Sequence, residues 1–177
     1  MLPCYVYVDG QYVRAEFRSE DKADEFYPRK AALFARRQGI AGAQFEPTRV
    51  FYYDAIDEAG DPKEQQRQRD YFKRISADLD THVIVGQVRK TARKRTQKGV
   101  DVQMAVDALR AAISGAVKGI ALVTGDADFV PLVRAIREAG PHVIVMGFKE
   151  SLAPELEREA DRVWKWDTLP TDWYTPP

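Results

Sequence analysis

The run Ile120-Ala121-Leu122-Val123-Thr124 has no charged side chain, so its residues have to be buried whichever way they face. A strand sends successive side chains to opposite faces, and only a central strand of a sheet covered on both sides buries both. This one run therefore commits the chain to helices on two faces of a mostly parallel sheet. The flanking sequence agrees. Cys4-Tyr5-Val6-Tyr7-Val8, Arg49-Val50-Phe51-Tyr52-Tyr53, His82-Val83-Ile84-Val85-Gly86 and His142-Val143-Ile144-Val145-Met146 are rich in β-branched and aromatic residues and read as strands.

Helical segments fall between them. They are expected over residues 21–38, closed by Gly39; from Asp61-Pro62 to about Leu79; from near Asp101; and from about Phe129 to Ala139, closed by Gly140. In the helix opening near Asp101, the spacing of Val102, Ala105, Val106, Leu109, Ala112 and Ile113 predicts one apolar face. Ser151 is placed to cap a last helix running to about Arg158, and Val163-Trp164-Lys165-Trp166 reads as a short edge strand. The expected fold class is α/β in three layers, with a central, mostly parallel sheet of about five strands. Residues 1–168 form the domain and residues 169–177 a Pro-rich tail.

Hydrophobic residues make up 45% and charged residues 31% of the 177, enough apolar mass for one soluble domain with a real core. The 27 basic and 27 acidic side chains cancel, so affinity for nucleic acid has to come from local asymmetry. A lone cysteine, Cys4, excludes an internal disulfide framework and reads as a core thiol. No stretch approaches the roughly 20 apolar residues that span a bilayer, and no secretion signal is expected, so the localisation predicted is cytoplasmic.

Aspartates punctuate the strand ends. Asp9 and Asp54 follow their runs directly, and Asp126 and Asp128 lie in Thr124-Gly125-Asp126-Ala127-Asp128-Phe129. Asp101 opens a helix after Lys98-Gly99-Val100. In an open α/β sheet the functional crevice lies outside the carboxyl ends of the strands. Each aspartate alone also suits a cap or a turn. Gathered together they would repel, and hard oxygen donors without Cys/His spacing select Mg²⁺ or Mn²⁺ as the compensating charge. Asp107 reads as a solvated or supporting residue, and Asp54 is open between site and structure.

The chain resembles the NYN-domain family, the LabA-like branch of the PIN-like nucleases. The resemblance is carried by Val8-Asp9-Gly10, by Lys98-Gly99-Val100-Asp101-Val102 with Ala105-Val106-Asp107, by the run from Leu122 through Asp126, Asp128 and Phe129 to Leu132, and by Ser151-Leu152, Leu156 and Ala160-Asp161. It implies a PIN-like fold and a metal-dependent endoribonuclease, with Asp9, Asp101, Asp126 and Asp128 as metal-binding and catalytic residues. An aspartate-held Mg²⁺ or Mn²⁺ would activate the water that cleaves RNA phosphodiester bonds. Many members carry Asn three residues after the first Asp; here that position is Tyr12. This departure keeps a second reading alive, an RNA-binding or protein-interaction module that is catalytically weak or inactive.

The stretch from Arg89 to Lys98 holds Arg89, Lys90, Arg93, Lys94, Arg95 and Lys98 and no acid. It runs into Asp101 and is the candidate phosphate-binding surface for RNA. Arg14 and Arg18 could extend it. Tyr52, Tyr53, Trp164 and Trp166 could stack on bases, though core packing or a homo-oligomer contact explains strand aromatics as well. His82 and His142 read as ordinary strand residues. A dehalogenase-like phosphatase would need an acid two positions after Asp9, where Gln11 stands.

Overall fold

Seven strands form one sheet in the computed structural model of the chain, which describes residues 1–17, 26–38, 43–78, 80–91, 94–97 and 99–166. They are β1 (Leu2–Asp9), β2 (Phe45–Ile56), β3 (Thr81–Thr91), β4 (Lys94–Gln97), β5 (Gly119–Val123), β6 (His142–Phe148) and β7 (Arg162–Trp166), in the spatial order β4-β3-β2-β1-β5-β6-β7. Every neighbouring pair is parallel except β3 and β4. The helices are α1 (Gly10–Phe17), α2 (Pro28–Gln38), α3 (Pro62–Ser76), α4 (Val100–Ile113), α5 (Val130–Ala139) and α6 (Pro154–Glu159).

The three layers follow from alternation along the strands. On β1, Val6 and Val8 enter the core that α1, α2 and α3 share through Val13, Ala31, Ala35, Tyr71 and Ile75. Tyr7, between them, points to the core beneath α4, α5 and α6, with Met104, Ala108, Ile136 and Leu156. The β5 run divides likewise, Ala121 and Val123 to one side and Ile120 and Leu122 to the other, and all five strand residues are buried. The sheet is thus covered on both faces, as the run required.

Four details differ from the sequence-based expectation. The basic stretch after Gly86 continues β3 and pairs back as β4, matching Lys90 with Arg95 and Arg89 with Thr96. An edge hairpin needs only its ladder, so apolar patterning gave no warning of it. A helix, α1, begins at Gly10, directly after β1, where the sequence-based reading placed none. Ser151 does not cap α6, whose N-cap is Ala153. The buried face of α4 is Val100, Met104, Ala108 and Ala112, while Val102, Val106 and Ile113 are exposed. A strict four-residue series of mostly slender side chains lets the helix sit close to the sheet. Val100 packs where a Cβ on Gly86 would stand 2.1 Å from its Cγ2.

Other expectations hold. Asp61 caps α3 by accepting from the Lys63 amide at 2.9 Å, and Gly140 ends α5 with φ 111°. Cys4 is fully buried, and desolvation pushes its thiol up to about 12. Phe34 packs edge-on against both Trp164 and Trp166, so those rings have internal partners. No helix among the described residues is long and apolar enough to cross a membrane.

Candidate functional site

The strand order reverses at β1, which has β2 on one side and β5 on the other. A crevice opens at such a switch point, beyond the carboxyl ends of the two strands. Asp9 is the last residue of β1, and the Thr124-Gly125-Asp126 turn leaves β5 beside it. A cleft of about 310 Å³ lies there, and Asp9, Tyr12, Glu16, Asp101, Asp126 and Ser151 are among the residues lining it.

Asp9 is 8% exposed and held from two sides. Its Oδ1 accepts from the Tyr12 amide at 3.0 Å, closing the first turn of α1, and its Oδ2 accepts from Thr124 Oγ1 at 3.0 Å. Asp9 therefore caps α1 while also lining the cleft. Burial pushes its carboxyl up to about 6 against the pull of those two donors, and the charges of Asp101 and Asp54 push the same way. Each carboxylate oxygen has a second lone-pair direction left.

Thr124 is fully buried and links two acids. While it donates to Asp9, its Oγ1 accepts from the Asp126 amide at 3.3 Å. Asp126 in turn caps the short 3₁₀ turn Ala127–Phe129, its Oδ1 accepting from the Asp128 amide at 2.9 Å. Both Asp126 and Asp128 are exposed. Asp101 stands in the first turn of α4, following Gly99, which holds φ 92° as the N-cap. Partial burial raises its carboxyl, and the charges of Asp126 and Asp128 raise it further.

Asp9, Asp101 and Asp126 thus share the cleft, and Asp128 stands near enough to be felt by Asp101. Asp54 does not belong to it. That side chain is fully buried beneath α1 and α3, ion-paired to Arg14 at 2.6 Å, and accepts from the Ala55 amide at 2.7 Å and Gln68 Nε2 at 3.3 Å. Arg14 is consequently engaged by the buried Asp54. Asp107 accepts from Tyr53 Oη at 3.0 Å and Gln103 Nε2 at 2.9 Å, about 1.7 turns along α4 from Asp101. Tyr52 and Tyr53 are core residues. Arg18, Arg93 and Lys98 lie outside the described residues, as do the side chains of Arg89, Lys90, Lys94 and Arg95.

Sequence reasoning missed Thr124, Ser151 and the part played by Tyr12. The Tyr12 hydroxyl accepts from the Phe148 amide at 2.7 Å and lies 3.0 Å from Ser151 Oγ. Its ring lies against Gly125, where a Cβ would fall 2.5 Å from Cε2. The aromatic ring therefore pins the acidic turn to the end of β6. The threonine and glycine of Thr-Gly-Asp were visible as a motif, but their partners were not.

Among the described residues, no three His, Cys, Asp or Glu side chains are already gathered in coordinating array. The donor set nonetheless suits a hard divalent cation. Every acid facing the cleft offers oxygen, Asp101 accepts no hydrogen bond from a described residue, and after burial it is the charges of Asp126 and Asp128 that raise its carboxyl.

The NYN domain family model matches residues 3–167. Over 97 residues the chain is 35% identical to Uncharacterized protein MJ0482 of Methanocaldococcus jannaschii, covering 55% of this chain and 40% of that protein. The chain therefore spans less than half the length of that relative. A crystal structure of a protein of unknown function, VPA0982 from Vibrio parahaemolyticus, shares the fold with a TM-score of 0.67 at 22% identity, over 93% of this chain and 92% of that one.

Proposed function

Because the chain belongs to the NYN domain family, a PIN-like nuclease family, we propose that it is a Mg²⁺- or Mn²⁺-dependent endoribonuclease acting through Asp9, Asp101, Asp126 and Asp128. The observation that carries this reading is the convergence of Asp9, Asp101 and Asp126, from three distant segments, on one cleft at the β1/β5 switch point. Asp9, Asp101 and Asp126 would hold the cation, with Asp128 completing the set. A bound divalent ion would supply the Lewis acidity that activates a water and offsets charge on the phosphate.

The chain's own residues divide the remaining work. Thr124 and the Tyr12 amide fix the Asp9 carboxylate, so one ligand is oriented before anything binds. Thr124 also ties the Asp126 turn to Asp9, setting the spacing between acids. An acidic cleft repels a polyanion, and the β3–β4 hairpin carrying Arg89, Lys90, Lys94 and Arg95 supplies the opposing charge on the chain that leads into Asp101. Arg93 and Lys98 belong to the same basic segment. Contacts to the sugar-phosphate backbone make binding salt-sensitive and tolerant of sequence.

The second reading, an RNA-binding or interaction module without turnover, is favoured by Tyr12. Its hydroxyl is committed to Phe148 and Ser151, so the position offers the cleft no amide. Incubating labelled single-stranded RNA with Mn²⁺ separates the two. Cleavage by the native chain that disappears in Asp126→Asn supports the nuclease; intact RNA with both proteins sinks it and leaves the binding module.

A further inference from the structure

The face of the sheet that carries α4 is not fully covered. Beside the C-terminal half of α4, a groove of about 660 Å³ runs over β1, β2 and β3. Its floor is aromatic. Phe51 stacks on Tyr7 with centroids 5.0 Å apart and planes 16° apart, and on its other side His82 stacks on Phe51 at 5.2 Å and 21°. Tyr53 continues the row beyond Tyr7 at 6.2 Å and 23°. Tyr7 and Tyr53 are buried, Phe51 is half-buried, and His82 is exposed at the end of the row. The stack therefore stops at a ring that faces solvent, because β4 pairs with β3 only from Val88 onward.

The rim is cationic. Arg110 lines the groove from α4, and Arg49 lies over the Tyr5 ring at 5.6 Å from β2. Both are exposed, and neither makes an ion pair with a described residue. Asp107 stands at the end of the groove nearer the acidic cleft, about 9 Å along α4 from Asp101. That separation is one a short stretch of extended strand spans.

We infer that this groove binds unpaired nucleotides of single-stranded RNA, with a base stacked on the open face of His82 at the end of the row and its phosphates met by Arg110 and Arg49. Planar rings ending in an open face give base stacking without sequence choice, and exposed arginines give the phosphate term. The Asp107 carboxylate can accept from the amino groups of a base while excluding a bare phosphate. An apolar protein segment would gain nothing from two exposed arginines. The inference rests on the proposed RNA substrate and adds where the strand lies: along α4, from the groove to the acids.

The test uses the full chain with Asp126→Asn, without added metal, and fluorescence anisotropy with a labelled 12-nucleotide single-stranded RNA. A matched strand with abasic sites separates stacking from phosphate contact. His82→Ala, an exposed change, is expected to weaken RNA binding at least about five-fold and to leave abasic-strand binding unchanged. Arg110→Ala is expected to weaken both and to flatten the salt dependence. Thermal melts confirm that the variants fold. Equal affinity of the parent and His82→Ala for RNA overturns the inference, whether or not the chain cleaves. Sedimentation that changes in His82→Ala while RNA binding does not would assign the groove to a second copy and overturn it too. Groove-dependent binding without cleavage by the native chain would leave the inference standing and remove the nuclease.

Discussion

Thr124 Oγ1 donates to Asp9 Oδ2 at 3.0 Å across 115 residues of sequence, and the same oxygen accepts from the Asp126 amide. One buried hydroxyl thus couples the first and third acids of the cleft. Thr124→Val keeps the shape and removes the link. It leaves a buried carboxylate short of a donor, at a cost of about 1–3 kcal/mol. Metal affinity is expected to fall about 10- to 100-fold, since the orientation of a ligand is lost. Urea unfolding and Mn²⁺ titration read the two effects separately.

The Asp9 carboxyl makes stability depend on pH in a defined direction. The folded chain holds this proton up to about pH 6, whereas the ordinary value is 3.8, so folding takes up a proton between those limits. The stabilisation is complete below 3.8, declines through the window and is gone above about 6. Asp54 and Asp101 are raised as well and act with the same sign. In metal-free protein, the stability of Asp9→Asn relative to the native chain should therefore rise by about 3 kcal/mol from pH 3.5 to pH 7. Denaturant melts across that range check it, and a flat difference would contradict the assigned burial.

Arg14 pairs with the buried Asp54 at 2.6 Å and favours its charged form, although desolvation still lifts that carboxyl overall. Arg14→Met strands a buried acid and should cost roughly 3–5 kcal/mol. Replacing both partners, as Arg14→Met with Asp54→Leu, should recover most of that loss. Equal destabilisation by the single and double changes would show that the pair matters for packing alone.

Tyr12 acts through its hydroxyl and its ring. Tyr12→Phe removes the acceptor of the Phe148 amide and the contact with Ser151, and about 1–2 kcal/mol of stability should go with it. Tyr12→Asn, the residue many family members carry, also empties the space against Gly125 and should cost roughly 3 kcal/mol or more. Chemical denaturation distinguishes them. If Tyr12→Asn is neutral, the ring does not pin the turn.

The layered fold was legible because β5 is apolar at every position and β1 splits its side chains between two cores. The acids were legible because each follows a strand or opens a helix at the same sheet edge. What stayed hidden was long-range. Nothing near Tyr12 announces a bond to Ser151, 139 residues away. Helix α1 was missed because it begins with glycine, a poor helix former. Gly10 is there for space: a Cβ would stand 2.6 Å from the Tyr52 ring. The α4 face was misread because Val102, Val106 and Ile113 outweighed Met104 and the smaller Ala108 in a purely periodic reading, and packing chose the side of Val100, Met104, Ala108 and Ala112.

Manganese diffused into crystals of the chain, with anomalous diffraction recorded, tests the proposed cation site most directly. The expected result is a peak in the cleft between Asp9, Asp101 and Asp126 that vanishes in Asp101→Asn. A cleft without a peak in well-soaked native crystals, or a peak that persists unchanged in Asp101→Asn, would contradict it.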